Sequence, residues 1–331
     1  MLRYYKPKTI PFYKGVSRLY EQIESIIRSG SYTNGAFSSS LCTSIAERTG
    51  YANAIPLGSG TQAIFMIARW YWNKGYRKIR VPAFTWPSTY KPFEWLGYKV
   101  RFVDIDRDTW LADFGGTPPA IDELDIPVDT FGSVYPHTGW DEDRFTDSAQ
   151  SFGASWPNPE DGMPNRIVSL SGSKIVTSGE GGILLTQDQG LADFARNQSW
   201  FSRLPELSAA LGLTYIDQLD IILKEKADIA GAYKEAFPGL QWQKIPVSTN
   251  NYIVAALVDS PKAWQKVNPG FGFRFYYDSI VNEEDERSTY EETFSSSAIH
   301  LPNTEYVSRH IIAFPSWPDM PIERIKEMNM P

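Results

Sequence analysis

The residues from 167 to 186 place one lysine where it could do chemistry. They read as an apolar run (167–170), Ser171-Gly172-Ser173-Lys174, a short polar turn, Gly179-Glu180-Gly181-Gly182 and a second apolar run (183–185). The pattern predicts strand, tight turn, strand, with Lys174 at the turn. An ammonium group is strongly hydrated and avoids a glycine-lined turn between apolar strands. Held there, its amine loses a proton more easily and can act as nucleophile or base. The alternative is a Lys174 that points into water, as surface lysines do. The four-residue glycine-rich run reads as turn geometry, with Glu180 structural.

A second stretch could hold an anion. A short strand over 54–57 runs into Gly58-Ser59-Gly60-Thr61, and an apolar helix over 62–72 follows. Strand, glycine-rich turn and helix is the layout in which backbone N–H groups and the helix dipole face negative charge. It is not a P-loop, because no Gly-Lys-Ser/Thr follows at the required spacing. An ordinary turn ahead of a helix start reads equally well from these residues alone.

The elements that must position these residues alternate along the chain. Val16, Leu19, Ile23, Ile26 and Ile27 recur at helical spacing, and that helix ends near Ser29-Gly30. Leu41, Ile45 and Ala46 mark a second helix, closed by Gly50. Strands follow over 79–81, 99–104, 126–128 and 144–146, each running into a polar or acidic cluster: Pro82-Ala83-Phe84-Thr85-Trp86, Asp104-Ile105-Asp106, Asp129-Thr130-Phe131-Gly132 and Asp147-Ser148-Ala149-Gln150. Strands spaced by helix-length segments imply βαβ units and a mostly parallel sheet, with ligands at the carboxyl ends of the strands. Beyond 186, residues 191–200 read as a helix, then a loop with Pro205, then a long amphipathic helix from Leu219 to Phe237. A smaller unit begins after Pro238-Gly239, with strands over 252–258 and 310–314 and a terminal helix over 321–328. The glycine- and aromatic-rich, then acidic, segment 267–286 fits no element.

Bulk properties remove several classes. The chain has 331 residues, enough for a large domain plus a smaller one, and is 42% hydrophobic and 21% charged, as globular proteins are. A net charge of -7 without any Lys/Arg run argues against a nucleic-acid partner. The single cysteine, Cys42, rules out an internal disulfide and fits a reducing compartment. The N-terminal stretch lacks the apolar core of a signal peptide, and no apolar run is long enough to span a bilayer, so a cytoplasmic protein is expected. The three histidines, His137, His300 and His310, are not at metal-ligand spacing, so no metal site is expected. Nothing marks a Ser-His-Asp or Cys-His apparatus, which leaves lysine and carboxylates as proton movers.

The motifs in order (Gly58-Ser59-Gly60-Thr61, Pro82 to Trp86, Asp147 to Gln150, Ser169 to Lys174 with Gly179 to Gly182, and Ile312-Ala313-Phe314-Pro315-Ser316-Trp317-Pro318 near the end) resemble the DegT/DnrJ/EryC1/StrS family. These are pyridoxal-phosphate-dependent aminotransferases that act on nucleotide-linked keto-sugars. The resemblance runs from about Val16 to the end. It implies an aspartate-aminotransferase-like α/β fold with a mostly parallel sheet: a large cofactor-binding domain over 1–240, with an N-terminal arm over 1–15, and a small C-terminal α+β domain over 241–331. It also implies a homodimer with shared sites, pyridoxal 5′-phosphate (PLP, with its pyridoxamine form) as cofactor, and glutamate as the expected amino donor.

By that resemblance Lys174 matches the lysine that carries the cofactor's aldehyde and then moves protons, and Asp147 the carboxylate facing the pyridine nitrogen. Gln150 matches the residue near the ring hydroxyl and Trp86 the aromatic that stacks on the ring. Gly60, Thr61 and Ser169 match the phosphate cup. Gln62 and Thr214 join the cofactor-binding set. Each has a plainer reading: Asp147 and Thr61 as helix starts, Trp86 as a core aromatic, Gln150 as a surface amide. Two departures stand out. Thr214 occupies the place of an asparagine in the family's Gly-x-Asn-x-Arg run, whose arginine has no counterpart in 212–219, and Asp129 stands where histidine is common. A sugar dehydratase remains as an alternative, although those relatives carry histidine in place of the lysine. A catalytically silent sugar- or cofactor-binding homologue is the other alternative, and the aromatic content of 14% would suit it.

Overall fold

The structure is a computed structural model that describes residues 16–137, 144–156, 162–277, 300–318 and 320–331. The expected N-terminal arm over 1–15 and the part of the unassigned segment over 278–286 lie outside the described residues.

The strands of the large sheet are β1 (Asn53–Leu57), β2 (Lys78–Pro82), β3 (Lys99–Val103), β4 (Glu123–Asp125), β5 (Phe145–Asp147), β6 (Asn165–Ser169) and β7 (Gly182–Thr186). Four of them order as β1-β7-β6-β5 and three as β3-β2-β4. A parallel bridge between Val128 and Asp147 joins the two groups. β2 pairs in parallel with β3 and β4, and β5 with β6. β7 is antiparallel to both its neighbours, β1 and β6. The connection expected as a tight turn is the longer stretch 170–181, which carries Lys174 and returns the chain antiparallel to β6. Both faces of β7 are covered: Leu184 packs in one core cluster and Ile183 and Leu185 in the other. A strand buried on both faces reads as an unbroken apolar run, which is what residues 183–185 show.

The helices are α1 (Val16–Ser29), α2 (Ala36–Thr49), α3 (Gly60–Asn73), α4 (Lys91–Trp95), α5 (Gln189–Gln198), α6 (Glu206–Ile216), α7 (Leu219–Ala236) and α8 (Pro261–Val267), with a further helix over Pro302–His310. α3 lays Ala63, Ile64, Met66, Ile67 and Tyr71 on one face of the sheet against Ile55, Leu57, Ile79 and Val81. α2 and α6 cover the other face with Leu41, Ile45, Ala209, Leu213 and Ile216. α7 spans two cores: Leu219 and Ile222 belong to the sheet's, while Ile229, Ala230 and Tyr233 pack under a second, antiparallel sheet of β8 (Gln241–Trp242), β9 (Val254–Leu257) and β10 (Ile311–Phe314).

Several sequence expectations need correction. Residues 206–216 form α6 instead of a loop; the helix is apolar on all sides and buried, so it shows no amphipathic stripe. The strand expected over 126–128 lies earlier, at Glu123–Asp125, with Val128 contributing an isolated bridge. The terminal helix is a 3-10 helix over Ile322–Glu327. The acidic end of β3 does not reach the cluster of strand ends: Asp104 accepts from the N–H groups of Asn303 and Thr304 at the start of the helix over Pro302–His310, and Asp106 caps its own turn through Thr109.

Candidate active site

Two close backbone approaches place the start of α3. A Cβ on Gly182 would lie 2.4 Å from the carbonyl carbon and oxygen of Ser59, so only glycine lets β7 pass this turn. A Cβ on Gly60 would lie 3.1 Å from the Cβ of Ser169. Ser59 caps the helix, its hydroxyl accepting from the N–H of Gln62 and its carbonyl from that of Ala63. The N–H groups of Gly60 and Thr61 come before the first intrahelical bond, at the positive end of a 14-residue helix and beside Ser169. Thr61 donates its hydroxyl to Ser88 at 2.9 Å, which fixes the outer wall of the turn.

These residues line one cavity of about 360 Å³. Its wall includes Gly60, Thr61, Trp86, Asp147, Gln150, Ser169 and Lys174, drawn from the ends of β1, β2, β5 and β6. Five of the predicted side chains, far apart in sequence, thus face one space together with the two residues of the turn.

Asp147 is 5% exposed, at the end of β5. Its carboxylate accepts from the Thr89 hydroxyl at 2.7 Å and the Ala149 N–H at 3.0 Å. Burial pushes its pKa above the ordinary carboxylate range, against the opposing pull of those two donors and of the Lys174 charge. A buried carboxylate of this kind is matched by a cation placed against it. Lys174 follows a turn in which its own N–H bonds the Ser171 carbonyl, and its Nζ lies 4.9 Å from the centre of the Tyr252 ring. Trp86 is 59% exposed at the rim, which sets aside its reading as a core aromatic.

Two predicted residues, Gln62 and Thr214, lie outside this wall, and a third, Gln150, lines it with its amide engaged. Gln150 lines the cavity, but both ends of its amide are engaged: the oxygen accepts the Phe131 N–H at 2.7 Å and the nitrogen donates to the Tyr277 hydroxyl at 3.3 Å. It holds Phe131 in a left-handed conformation, φ 61°, that bulky residues rarely adopt. Gln62 turns its amide oxygen to the Ser202 hydroxyl, outside the cavity wall. Thr214 is buried inside α6 and donates to the Ala210 carbonyl at 3.1 Å, away from the cavity of its own chain.

Asp129 is fully buried and pairs with the equally buried Arg166 at 2.9 Å. It also accepts from Ser148, Ser151 and the Tyr135 N–H. Arg166 donates to Ser148 at 2.6 Å, so the pair braces the residue next to Asp147 from behind. Sequence reading missed the far wall: Tyr252, Ile253, Arg274, Tyr276 and Tyr277. Arg274, Tyr276 and Tyr277 come from the segment 267–286 that fits no element, where Arg274 pairs with Ala313 of β10, while Tyr252 and Ile253 come from the stretch expected as a strand over 252–258.

The sequence profile of the DegT/DnrJ/EryC1/StrS aminotransferase family matches residues 15–329. The chain is 24% identical over 349 residues to the UDP-4-amino-4-deoxy-L-arabinose--oxoglutarate aminotransferase of Shewanella sediminis, with 90% of each chain covered. It is 27% identical over 222 residues to the GDP-4-keto-6-deoxy-D-mannose 3-dehydratase of Escherichia coli O55:H7, covering 61% of this chain and 57% of that one. A crystal structure of a DegT DnrJ EryC1 StrS aminotransferase from Brucella abortus superposes with a TM-score of 0.82 at 19% identity, covering 99% of this chain and 98% of that one. At that identity the likeness speaks for the fold: an α/β aminotransferase arrangement with a smaller sheet at the C-terminal end.

Proposed function

Because the chain belongs to the DegT/DnrJ/EryC1/StrS aminotransferase family, we propose that it moves an amino group from an amino acid, glutamate being the expected donor, to the carbonyl of a nucleotide-linked keto-sugar. The Shewanella sediminis relative is named for such a pair, a UDP-amino-sugar and oxoglutarate. The family's cofactor is PLP, and the residues present fit it. The observation that carries this reading is the single cavity in which Lys174, Asp147 and the start of α3 meet. A phosphate suits the Gly60 and Thr61 N–H groups beside Ser169, where a Cβ at residue 60 would fill the space. A protonated ring nitrogen suits the buried Asp147 carboxylate.

When bound, PLP supplies an electron sink for the pair left when a proton leaves the donor's α-carbon. The chain's residues do the rest. Asp147 keeps a positive charge at the ring nitrogen favourable. Lys174 would hold the cofactor through its amine, and the same Nζ would serve as the base that takes a proton from carbon and returns it. Trp86 covers the rim. Arg274, at the mouth on the opposite wall, offers a planar fork for a carboxylate. Asp147 and Lys174 have cofactor roles in this reading, which leaves Arg274 as the cavity-lining cation for the donor.

The reading extends to a large unit over 1–240 and a small one over 241–331, in a cytoplasmic homodimer. Tyr20 and Ile27 on α1 are 68% and 59% exposed and Leu207 on α6 is 43% exposed, an apolar surface suited to a second copy. Among the described residues no helix is long and apolar enough to cross a membrane. The dehydratase reading is disfavoured by a lysine at 174, since the resemblance pairs that outcome with histidine.

Borohydride treatment of the yellow protein should fix cofactor mass on Lys174, and glutamate should bleach the colour and yield 2-oxoglutarate. Lys174→Ala should abolish amino transfer; turnover in that variant would remove the mechanism. A protein that holds cofactor yet ignores every amino donor would favour the silent homologue.

A further inference from the structure

A line of contacts runs from a buried lysine on α7 to Lys174, and the reading above gives it no role. Lys226 is 3% exposed inside α7. Its Nζ donates to the Tyr252 carbonyl at 2.9 Å and to the Ser316 carbonyl and hydroxyl. One amine therefore ties α7 to the residues just before β9 and just after β10. Tyr252 in turn faces the cavity: its hydroxyl bonds that of Ser173 at 3.1 Å, and its ring lies 4.9 Å from the Lys174 Nζ.

We propose that the Tyr252 ring is the surface against which the Lys174 amine is oriented, and that Lys226 is the positioning residue that holds Tyr252 in place. The inference rests on Lys174 being the reactive amine. A buried lysine is costly unless its hydrogens are used, and Lys226 uses them on a main-chain carbonyl whose side chain reaches the cavity. Burial lowers its pKa to about 7. In the neutral state two N–H groups still serve the two carbonyls and a lone pair the Ser316 hydroxyl, so the tie survives the loss of the proton. An aromatic face near an ammonium favours the charged form by about two- to five-fold at a partly exposed position. The hydroxyl bond to Ser173, next to Lys174, fixes how the ring meets the amine. The other charged groups facing Lys174 across the cavity are Asp147, Glu180 and Arg274, and the variants below leave all three in place.

The test compares Tyr252→Leu, Tyr252→Phe, Lys226→Met and Lys226→Arg. In the cofactor-free protein, acetylation of Lys174 is followed against pH by peptide mass spectrometry, which reads the amine's pKa independently of cofactor. Tyr252→Leu should lower the midpoint by about half a pH unit, the two- to five-fold change above. Tyr252→Phe, which keeps the ring but loses the bond to Ser173, should shift the midpoint less than Tyr252→Leu. Lys226→Met should shift it in the direction of Tyr252→Leu, Lys226→Arg should restore part of the shift, and the double variant should shift no further than Tyr252→Leu alone. In the loaded protein, Tyr252→Leu and Lys226→Met should reduce kcat while donor KM stays within about three-fold. Unchanged midpoints and kcat in Tyr252→Leu, with only a fall in Tm, would overturn the proposal. A wild-type protein whose Lys174 takes no cofactor under borohydride would instead overturn the reading beneath it.

Discussion

Gly182→Ala tests whether backbone proximity, as opposed to any side chain, builds the anion site. The new Cβ would sit 2.4 Å from the Ser59 carbonyl carbon and 2.6 Å from the Gly60 nitrogen. Ordinary contact needs about 3.5 Å, so strand and turn must separate by about 1 Å. Neither neighbour is a flexible side chain, and forcing an extra methyl into a packed site costs about 1–3 kcal/mol. The displacement falls on the first N–H groups of α3. An N–H that loses a charged acceptor forfeits about 1.5–3 kcal/mol, so PLP or inorganic phosphate should bind about 10- to 150-fold more weakly. Urea denaturation measures the first quantity and absorbance titration of cofactor-free protein the second. Gly231→Ala is the control. That glycine is exposed within α7 with nothing near its Cβ position, so alanine should stabilise by about 0.5–1 kcal/mol with cofactor binding unchanged. A Gly182→Ala protein that matches wild type in both urea midpoint and PLP affinity would refute the reasoning.

Asp129→Asn leaves the Arg166 guanidinium buried without its counter-charge, and should cost about 3–5 kcal/mol in urea; a loss under about 1 kcal/mol would show that the brace behind Ser148 is dispensable. Asp147→Asn probes linkage. Its folded-state pKa lies above 3.8, so the group supports the fold most below that pH, and this support fades as pH rises through the raised value. Near pH 7 the cofactor-free variant should therefore match or exceed wild type in denaturation midpoint, with wild type gaining as pH falls towards 4. A variant weaker by more than about 1 kcal/mol at pH 7 would contradict this. Arg274→Gln should raise donor KM by about ten-fold or more, since a charge-assisted pair is lost; half-reactions separate the sources, and a defect confined to the keto-sugar half would move the Arg274 contact from the donor's carboxylate to the nucleotide's phosphates.

The local elements of the large sheet were legible because their cues are local. Gly50 closes α2 with φ 73° in the left-handed region, as a helix-ending glycine should. The motifs around Lys174, Asp147 and Gly60 could be read as chemistry because a parallel sheet collects its strand ends on one edge. What stayed hidden depended on partners distant in the chain. α6 has no polar face, so its helical character appears only once α2 and the sheet bury it. Which way the Gln62 and Thr214 side chains point, towards Ser202 and the Ala210 carbonyl within this chain, is likewise a matter of packing. Asp104 and Asp129 looked like strand-end chemistry, yet one caps a distant helix and the other neutralises a buried arginine. The wall of Tyr252, Arg274 and Tyr277 exists only because β10 pairs with Arg274 and α7 anchors Tyr252 through Lys226. Sequence sets which chemistry the strand ends can offer; the long-range contacts, which no periodicity encodes, decide which of those groups share a cavity.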